Sequence, residues 1–175
     1  MKFIETDIDG VFIVELEKIS DDRGFFARAF CREQFLEQGL VGEMVQGNVS
    51  FNVLAGTIRG MHFQRQPAAE VKLVRCTRGS ILDVAIDLRE DSPTYLGHVS
   101  VELTADNHRA LYVPENFAHG FQTLEPDTEV SYLVSAYYTP ACESGLRYDD
   151  PAVGINWPLS ATTVSEKDGN WPLHQ

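Results

Sequence analysis

The sequence predicts an all-β chain, a sandwich or barrel of many short strands, and three observations carry that prediction. Apolar residues alternate with polar ones in short runs rather than at helical spacing. The runs recur about every 8–12 residues, each bounded by Asp, Asn, Gly or Pro. The best helix candidate, residues 31–40, is short, and no internal repeat or low-complexity linker interrupts the pattern.

From the N-terminus, Val11-Phe12-Ile13-Val14 reads as a strand, Ser20-Asp21-Asp22-Arg23-Gly24 as a turn, and Phe25-Phe26-Ala27-Arg28-Ala29-Phe30 as a second strand. In residues 31–40, Arg32, Glu33, Gln34, Leu36, Glu37 and Gln38 favour a helix, and Gly39 sits where a C-cap belongs. Residues 43–53 alternate through Val45, Val49, Phe51 and Val53, and Ala55-Gly56 turns the chain into residues 59–64. Gln66-Pro67 marks a loop, followed by strands at 71–77, 81–88, 97–103, 110–113, 120–124 and 129–136. From Arg147 onward the pattern is irregular, and composition makes Ser165-Glu166-Lys167-Asp168 a solvated tail.

At 175 residues a single domain, 1–175, is expected, long enough to bury a sizeable core. A net charge of -12 argues against nucleic acid and anionic membranes as partners, though local cations can still hold a small anion. Cys31, Cys76 and Cys142 are widely spaced with no Cys-x-x-Cys pair, so free thiols in a reducing cytoplasm are expected rather than a zinc knuckle or disulfide framework. The N-terminus carries acids where a signal peptide would be apolar, and no run reaches membrane-spanning length. A cytoplasmic location is the expectation.

The chemistry concentrates in Arg59-Gly60-Met61-His62-Phe63-Gln64 and Lys72-Leu73-Val74-Arg75. Histidine, with an ordinary pKa of about 6.5, suits proton transfer near neutrality. Two fixed cations beside it suit the abstraction of a proton next to a carbonyl, because they stabilise the enolate oxygen. Strand alternation places Lys72 with Val74 and Cys76, Asp83 with Ala85 and Asp87, His119 with Phe117 and Phe121, and Tyr132 with Val130 and Val134. If the Lys72, Asp83, His119 and Tyr132 faces all point inward, the interior is a polar pocket with aromatic walls. Taken singly, His119 could merely serve a turn and Tyr132 a core.

Beyond the two runs above, Asp83-Val84-Ala85-Ile86-Asp87-Leu88-Arg89, Ser92-Pro93-Thr94, Pro114-Glu115-Asn116-Phe117-Ala118-His119-Gly120-Phe121 and Gly154-Ile155-Asn156-Trp157-Pro158 follow in order. In this set the chain resembles the dTDP-4-dehydrorhamnose 3,5-epimerase family over nearly its whole length. The resemblance implies a cupin-type jelly-roll barrel with a few short helices and a homodimer. It also implies a cofactor-independent, metal-free epimerase that inverts C3 and/or C5 of a nucleotide-linked 4-keto-6-deoxyhexose. By the same resemblance His62 is the base, Asp168 orients it, Tyr132 is the acid and Lys72 lies beside the sugar to stabilise the enolate. Arg23, Phe26, Arg28, Gln46, Asn48, Arg59, His119, Phe121, Glu143 and Lys167 correspond to substrate contacts. The tail is then expected to fold back onto the barrel.

The residues agree with that chemistry. No Gly-rich dinucleotide fingerprint is present. His62 is followed by Phe63-Gln64 and lacks the second nearby histidine of a metal cupin. The alternatives are a monoepimerase or keto-isomerase on a related nucleotide sugar, or a non-catalytic sugar-binding cupin. The chain departs from the family at Arg28, usually glutamate, at Leu133, where lysine is common, and in a 50–57 stretch one residue longer than usual. The resemblance puts Arg59 and His62 in one pocket, yet three apart they would face opposite ways in a regular strand, so a bulge or kink is expected near Gly60.

Overall fold

The computed structural model describes residues 1–174. One six-stranded antiparallel sheet runs β1 (Lys2–Glu5), β2 (Phe12–Glu15), β10 (Ala110–Val113), β7 (Lys72–Arg78), β12 (Thr128–Val134) and β5 (Gln46–Asn52). A second runs β13 (Glu143–Gly145), β6 (Thr57–Gln64), β11 (Phe117–Thr123), β8 (Ser80–Asp87) and β9 (His98–Thr104), and β14 (Thr163–Val164) pairs parallel with β6. A small hairpin, β3 (Ile19–Asp21) and β4 (Gly24–Phe26), stands apart from both sheets. The helices are α1 (Arg32–Glu37) and α2 (Glu166–Gly169). The fold is the expected all-β jelly roll.

The strands sort their faces as alternation requires. Val74, Cys76, Ile81, Ala85, Leu111, Phe117, Phe121 and Val130 from both sheets form one buried cluster between them. The outer faces are covered too, which is why so few strands alternate cleanly to solvent. Phe35 of α1 packs on Val14, Val71, Leu73 and Tyr112 on one side. On the other, Leu146 and Val153, with Ile155 and Trp157, cover Met61, Val84 and Ile86. The irregular C-terminal stretch is therefore a lid over a sheet face rather than loose chain.

Several boundaries differ from the sequence reading. The second expected strand ends at Phe26, and β11 begins at Phe117, earlier than expected, because Phe117 and Ala118 already pair with Asp87 and Ile86 of β8. The helix is shorter than 31–40, ending where Gly39 takes φ +73 and the Leu40 N–H returns to the Phe35 carbonyl. Asp87 does not join Asp83 inside. Its carboxylate is sequestered at the end of β8 by Arg89, Ser92 and Thr94.

The expected distortion at Gly60 is present. On β11 His119 and Phe121 are two positions apart, whereas their partners His62 and Arg59 on β6 are three apart. Gly60 has φ +132, and a Cβ there would lie 2.6 Å from Gly120 Cα. The next peptide, Gly60–Met61, is cis. The extra residue turns Arg59 and His62 toward one cavity.

Candidate active site

Where β5, β12 and β7 face β6 and β11, the apolar filling stops and a cavity opens. It has two lobes of about 330 and 260 Å³, and His62, Lys72 and Tyr132 line both. The first lobe adds Arg59, His119, Phe121 and the edge-strand residues Val49 and Phe51. The second adds Gln46, Asn48, Gln64, Glu70, Tyr138 and Glu143. The polar interior with aromatic walls read from strand parity is thus assembled.

His62 Nε2 lies 2.6 Å from Asp168 Oδ1. Asp168 comes from α2, and its side chain is 5% exposed. The helix is N-capped by Ser165, whose Oγ accepts the Asp168 N–H at 3.0 Å. The Gly60 N–H reaches Asp168 Oδ2 at 3.3 Å. Burial opposes ionisation of Asp168, but hydrogen bonds from His62 and Gly60 hold its carboxyl below the usual range. With Nε2–H bonded to Asp168, Nδ1 of His62 carries the free lone pair.

Lys72, 9% exposed, donates to the His62 carbonyl oxygen at 3.1 Å and pairs with Glu70 Oε1 at 3.2 Å. Arg59 Nε donates to Asn52 Oδ1 at 2.6 Å. Tyr132, on β12 next to the strand of Lys72, faces Arg59 across the cavity. Burial, then the Glu70 charge, push its phenol up, and Arg59 offsets only part. It therefore holds its proton at neutral pH. His119 Nε2 lies 2.7 Å from Asp83 Oδ1, and Asp83 is wholly buried with Oδ2 unpartnered among the described residues. Glu143 is bonded by Lys167 and by the Tyr138 hydroxyl, which outweigh its burial and lower its pKa.

Of the expected residues, His62, Tyr132, Lys72, Arg59, His119, Phe121, Gln46, Asn48 and Glu143 line the cavity. Asp168 and Lys167 reach it through His62 and Glu143. Arg23, Phe26 and Arg28 do not line it. Arg23 pairs with Asp21 on the exposed hairpin, and Phe26 is 72% exposed. The sequence reading missed Glu70, Gln64, Asn52 and Tyr138. Asn52 and Gln64 lie in runs already read as strands, but Glu70 and Tyr138 sit outside any regular strand and carry no periodic signal.

A family profile described as dTDP-4-dehydrorhamnose 3,5-epimerase matches residues 5–175. A dTDP-4-dehydrorhamnose 3,5-epimerase of Sinorhizobium fredii is 47% identical over 173 residues, 98% of this chain and 89% of the relative. The crystal structure of the Bacillus anthracis dTDP-4-dehydrorhamnose 3,5-epimerase, with TDP and PPi bound, gives a TM-score of 0.95 at 43% identity over 99% of each chain. A Legionella pneumophila dTDP-6-deoxy-D-glucose-3,5-epimerase in complex with dTDP-4-keto-L-rhamnose gives 0.92 at 37% identity, covering 98% of this chain and 92% of that one.

Proposed function

This chain belongs to the dTDP-4-dehydrorhamnose 3,5-epimerase family, and on that premise we propose how its cavity works. The enzyme is an epimerase of a nucleotide-linked 4-keto-6-deoxyhexose, dTDP-4-dehydro-6-deoxyglucose, giving dTDP-4-dehydrorhamnose. One observation carries the assignment of roles: His62 backed by Asp168, and protonated Tyr132, face the same cavity from opposite sheets.

A sugar ring held between the sheets presents one face to each. His62 Nδ1 takes a proton from the carbon beside the ketone; the C–H pair becomes a C=C bond to C4, and the carbonyl π pair moves onto the C4 oxygen. Lys72 and Arg59 stabilise that enolate oxygen as it gains charge. Tyr132 then delivers its phenol proton to the carbon from the other face, inverting the centre. The imidazolium returns its proton to solvent and the phenolate regains one, so no net proton or electron is consumed. The carbon on the other side of the ketone is equally acidic, so the same pair can serve both. Asp168 supports the imidazolium that forms on each deprotonation. No step calls for a cofactor.

Arg23, Phe26 and Arg28 lie outside the cavity of their own chain, and in a homodimer they would meet the ligand held by the second copy. Apolar surface is available for it: Ile19 and Phe26 on the hairpin are 71% and 72% exposed, and Val49 on edge strand β5 is 67% exposed. A cationic Arg28 brought across suits a nucleotide phosphate. Sedimentation should give a dimer mass, and Phe26→Ala should raise KM with kcat retained. A cytoplasmic location fits three free cysteines, of which Cys76 has its thiol pushed up to about 11 by burial. Incubation with dTDP-4-dehydro-6-deoxyglucose in deuterated water, read by NMR, tests the reaction. Deuterium with inversion at C3 and C5 is expected. Inversion at one carbon only would make it a monoepimerase, and no exchange a silent binder.

A further inference from the structure

Glu70 is a buried charge in the cavity wall to which the mechanism above gives no part. Its Oε1 pairs with Lys72 Nζ at 3.2 Å, and the two side chains are 11% and 9% exposed. Its Oε2 accepts from Gln64 Nε2 at 2.9 Å. That amide also donates to the Ala68 and Tyr137 carbonyls, while Gln64 Oε1 accepts the Thr139 N–H at 2.7 Å. Glu70 thus ties Lys72 to the segment from which Tyr138 reaches Glu143.

An ammonium has three N–H bonds. The His62 carbonyl takes one from Lys72, and Glu70 holds the ammonium as an ion pair, so an N–H remains free for a ligand. We propose that Glu70 is a positioning residue for the epimerisation: its ion pair fixes the Lys72 ammonium so that a free N–H meets the enolate oxygen. The inference rests on the function proposed above. A lone ammonium this buried would fold away or lose its charge, because removing one partner of a buried ion pair leaves the other uncompensated. The anion weakens Lys72 as a Coulombic partner, and in exchange it secures the charge and its direction. Glu70 has a second effect on the same cycle. Among the charged groups facing Tyr132, namely Glu70 and Lys72 from the loop and β7, Arg59 and His62 from β6 and Glu143 from β13, Glu70 is the one that most opposes its ionisation.

The test is Glu70→Gln, which keeps the shape and one acceptor but removes the charge. On dTDP-4-dehydro-6-deoxyglucose, kcat should fall about tenfold with KM within about twofold, and the alkaline limb of the kcat profile should move to lower pH. In a Lys72→Met background the same change should cost nothing further. Glu70→Asp, which keeps the charge, should recover most of the rate and the alkaline limb, and it stands in if Glu70→Gln does not fold. Parent-like kcat in Glu70→Gln, or an equal loss with and without Lys72, would overturn the proposal. A parent inert on this sugar would count against the function instead. Glu70 is then judged on the ligand-free protein. Lys72 ammonium protons visible by ¹⁵N-edited NMR in the parent and lost in Glu70→Gln support it, and protons visible in both overturn it.

Discussion

Replacing Asp168 by asparagine is the most demanding test of the proton-transfer pair, because the geometry dictates how it must fail. The carboxylate accepts twice, from His62 Nε2 at 2.6 Å and from the Gly60 N–H at 3.3 Å. An asparagine has one oxygen and one NH₂ to offer in the same place. If the oxygen stays on His62, the NH₂ opposes the Gly60 N–H, and a buried donor left unmet costs about 1–3 kcal/mol. If the amide turns over, the oxygen serves Gly60 and the NH₂ donates to Nε2. The ring proton must then move to Nδ1, and the nitrogen facing the cavity loses its lone pair. Both arrangements also remove the anion behind the developing imidazolium. The same exchange in a serine-protease triad costs about 10⁴ in turnover through the wrong tautomer. A fall in kcat of about 10²–10⁴ is therefore expected, with stability reduced by about 1–3 kcal/mol. Turnover is read by NMR of the dTDP-sugar, and the tautomer by the ¹⁵N shifts of His62. A kcat within about threefold of the parent, with the ring still protonated on Nε2, would refute the reasoning.

Tyr132→Phe should leave proton abstraction intact, so solvent deuterium enters with retained configuration faster than the centre inverts; inversion at the parent rate would remove Tyr132 as the acid. Asp87 is held ionised against its burial by Arg89, Ser92 and Thr94, its pKa far below the usual carboxylate range. Its stabilisation is thus complete above the unfolded value of about 3.9 and is lost as pH falls from there toward the folded value. Asp87→Asn should cost about 3–5 kcal/mol in urea at pH 7, and the gap should narrow at pH 3; a gap independent of pH contradicts this. Gly60→Ala places a Cβ 2.6 Å from Gly120 Cα and 2.9 Å from the His119 carbonyl oxygen, at φ +132. It should destabilise by about 3 kcal/mol or more in urea unfolding, whereas a parent-like midpoint would mean that β6 can relax without the bulge.

Parity along the strands carried most of what could be read in advance. Lys72, Asp83, His119 and Tyr132 each lie on the face that alternation assigned, because a pleated strand leaves a side chain only two directions. The Gly60 bulge was legible once the resemblance put Arg59 and His62 in one pocket, since two residues three apart cannot share a face without it. The tail was not. Nothing periodic marks Ser165-Glu166-Lys167-Asp168, and Asp168 finds His62 across 106 residues of sequence. Only the family resemblance brought it home. Glu70 had no signal either, because its partners Lys72 and Gln64 belong to two strands that meet only when the barrel closes. Arg23, Phe26 and Arg28, expected at the ligand, lie outside the cavity of this chain.

The tail has a further consequence. It carries the carboxylate behind His62, and what holds it is a two-residue parallel pairing, one serine cap, the bonds of Asp168, the Thr162 bonds to Ala55 and Gly56, the Lys167–Glu143 pair and the His174 N–H on Asp150. The sheets beneath it are knit by ladders several times longer. Loss of activity on warming is therefore expected to precede melting of the sheets, because undocking the tail takes Asp168 from His62 without breaking their ladders. Recooling from that state restores activity at the speed of a short segment docking rather than of a jelly roll refolding.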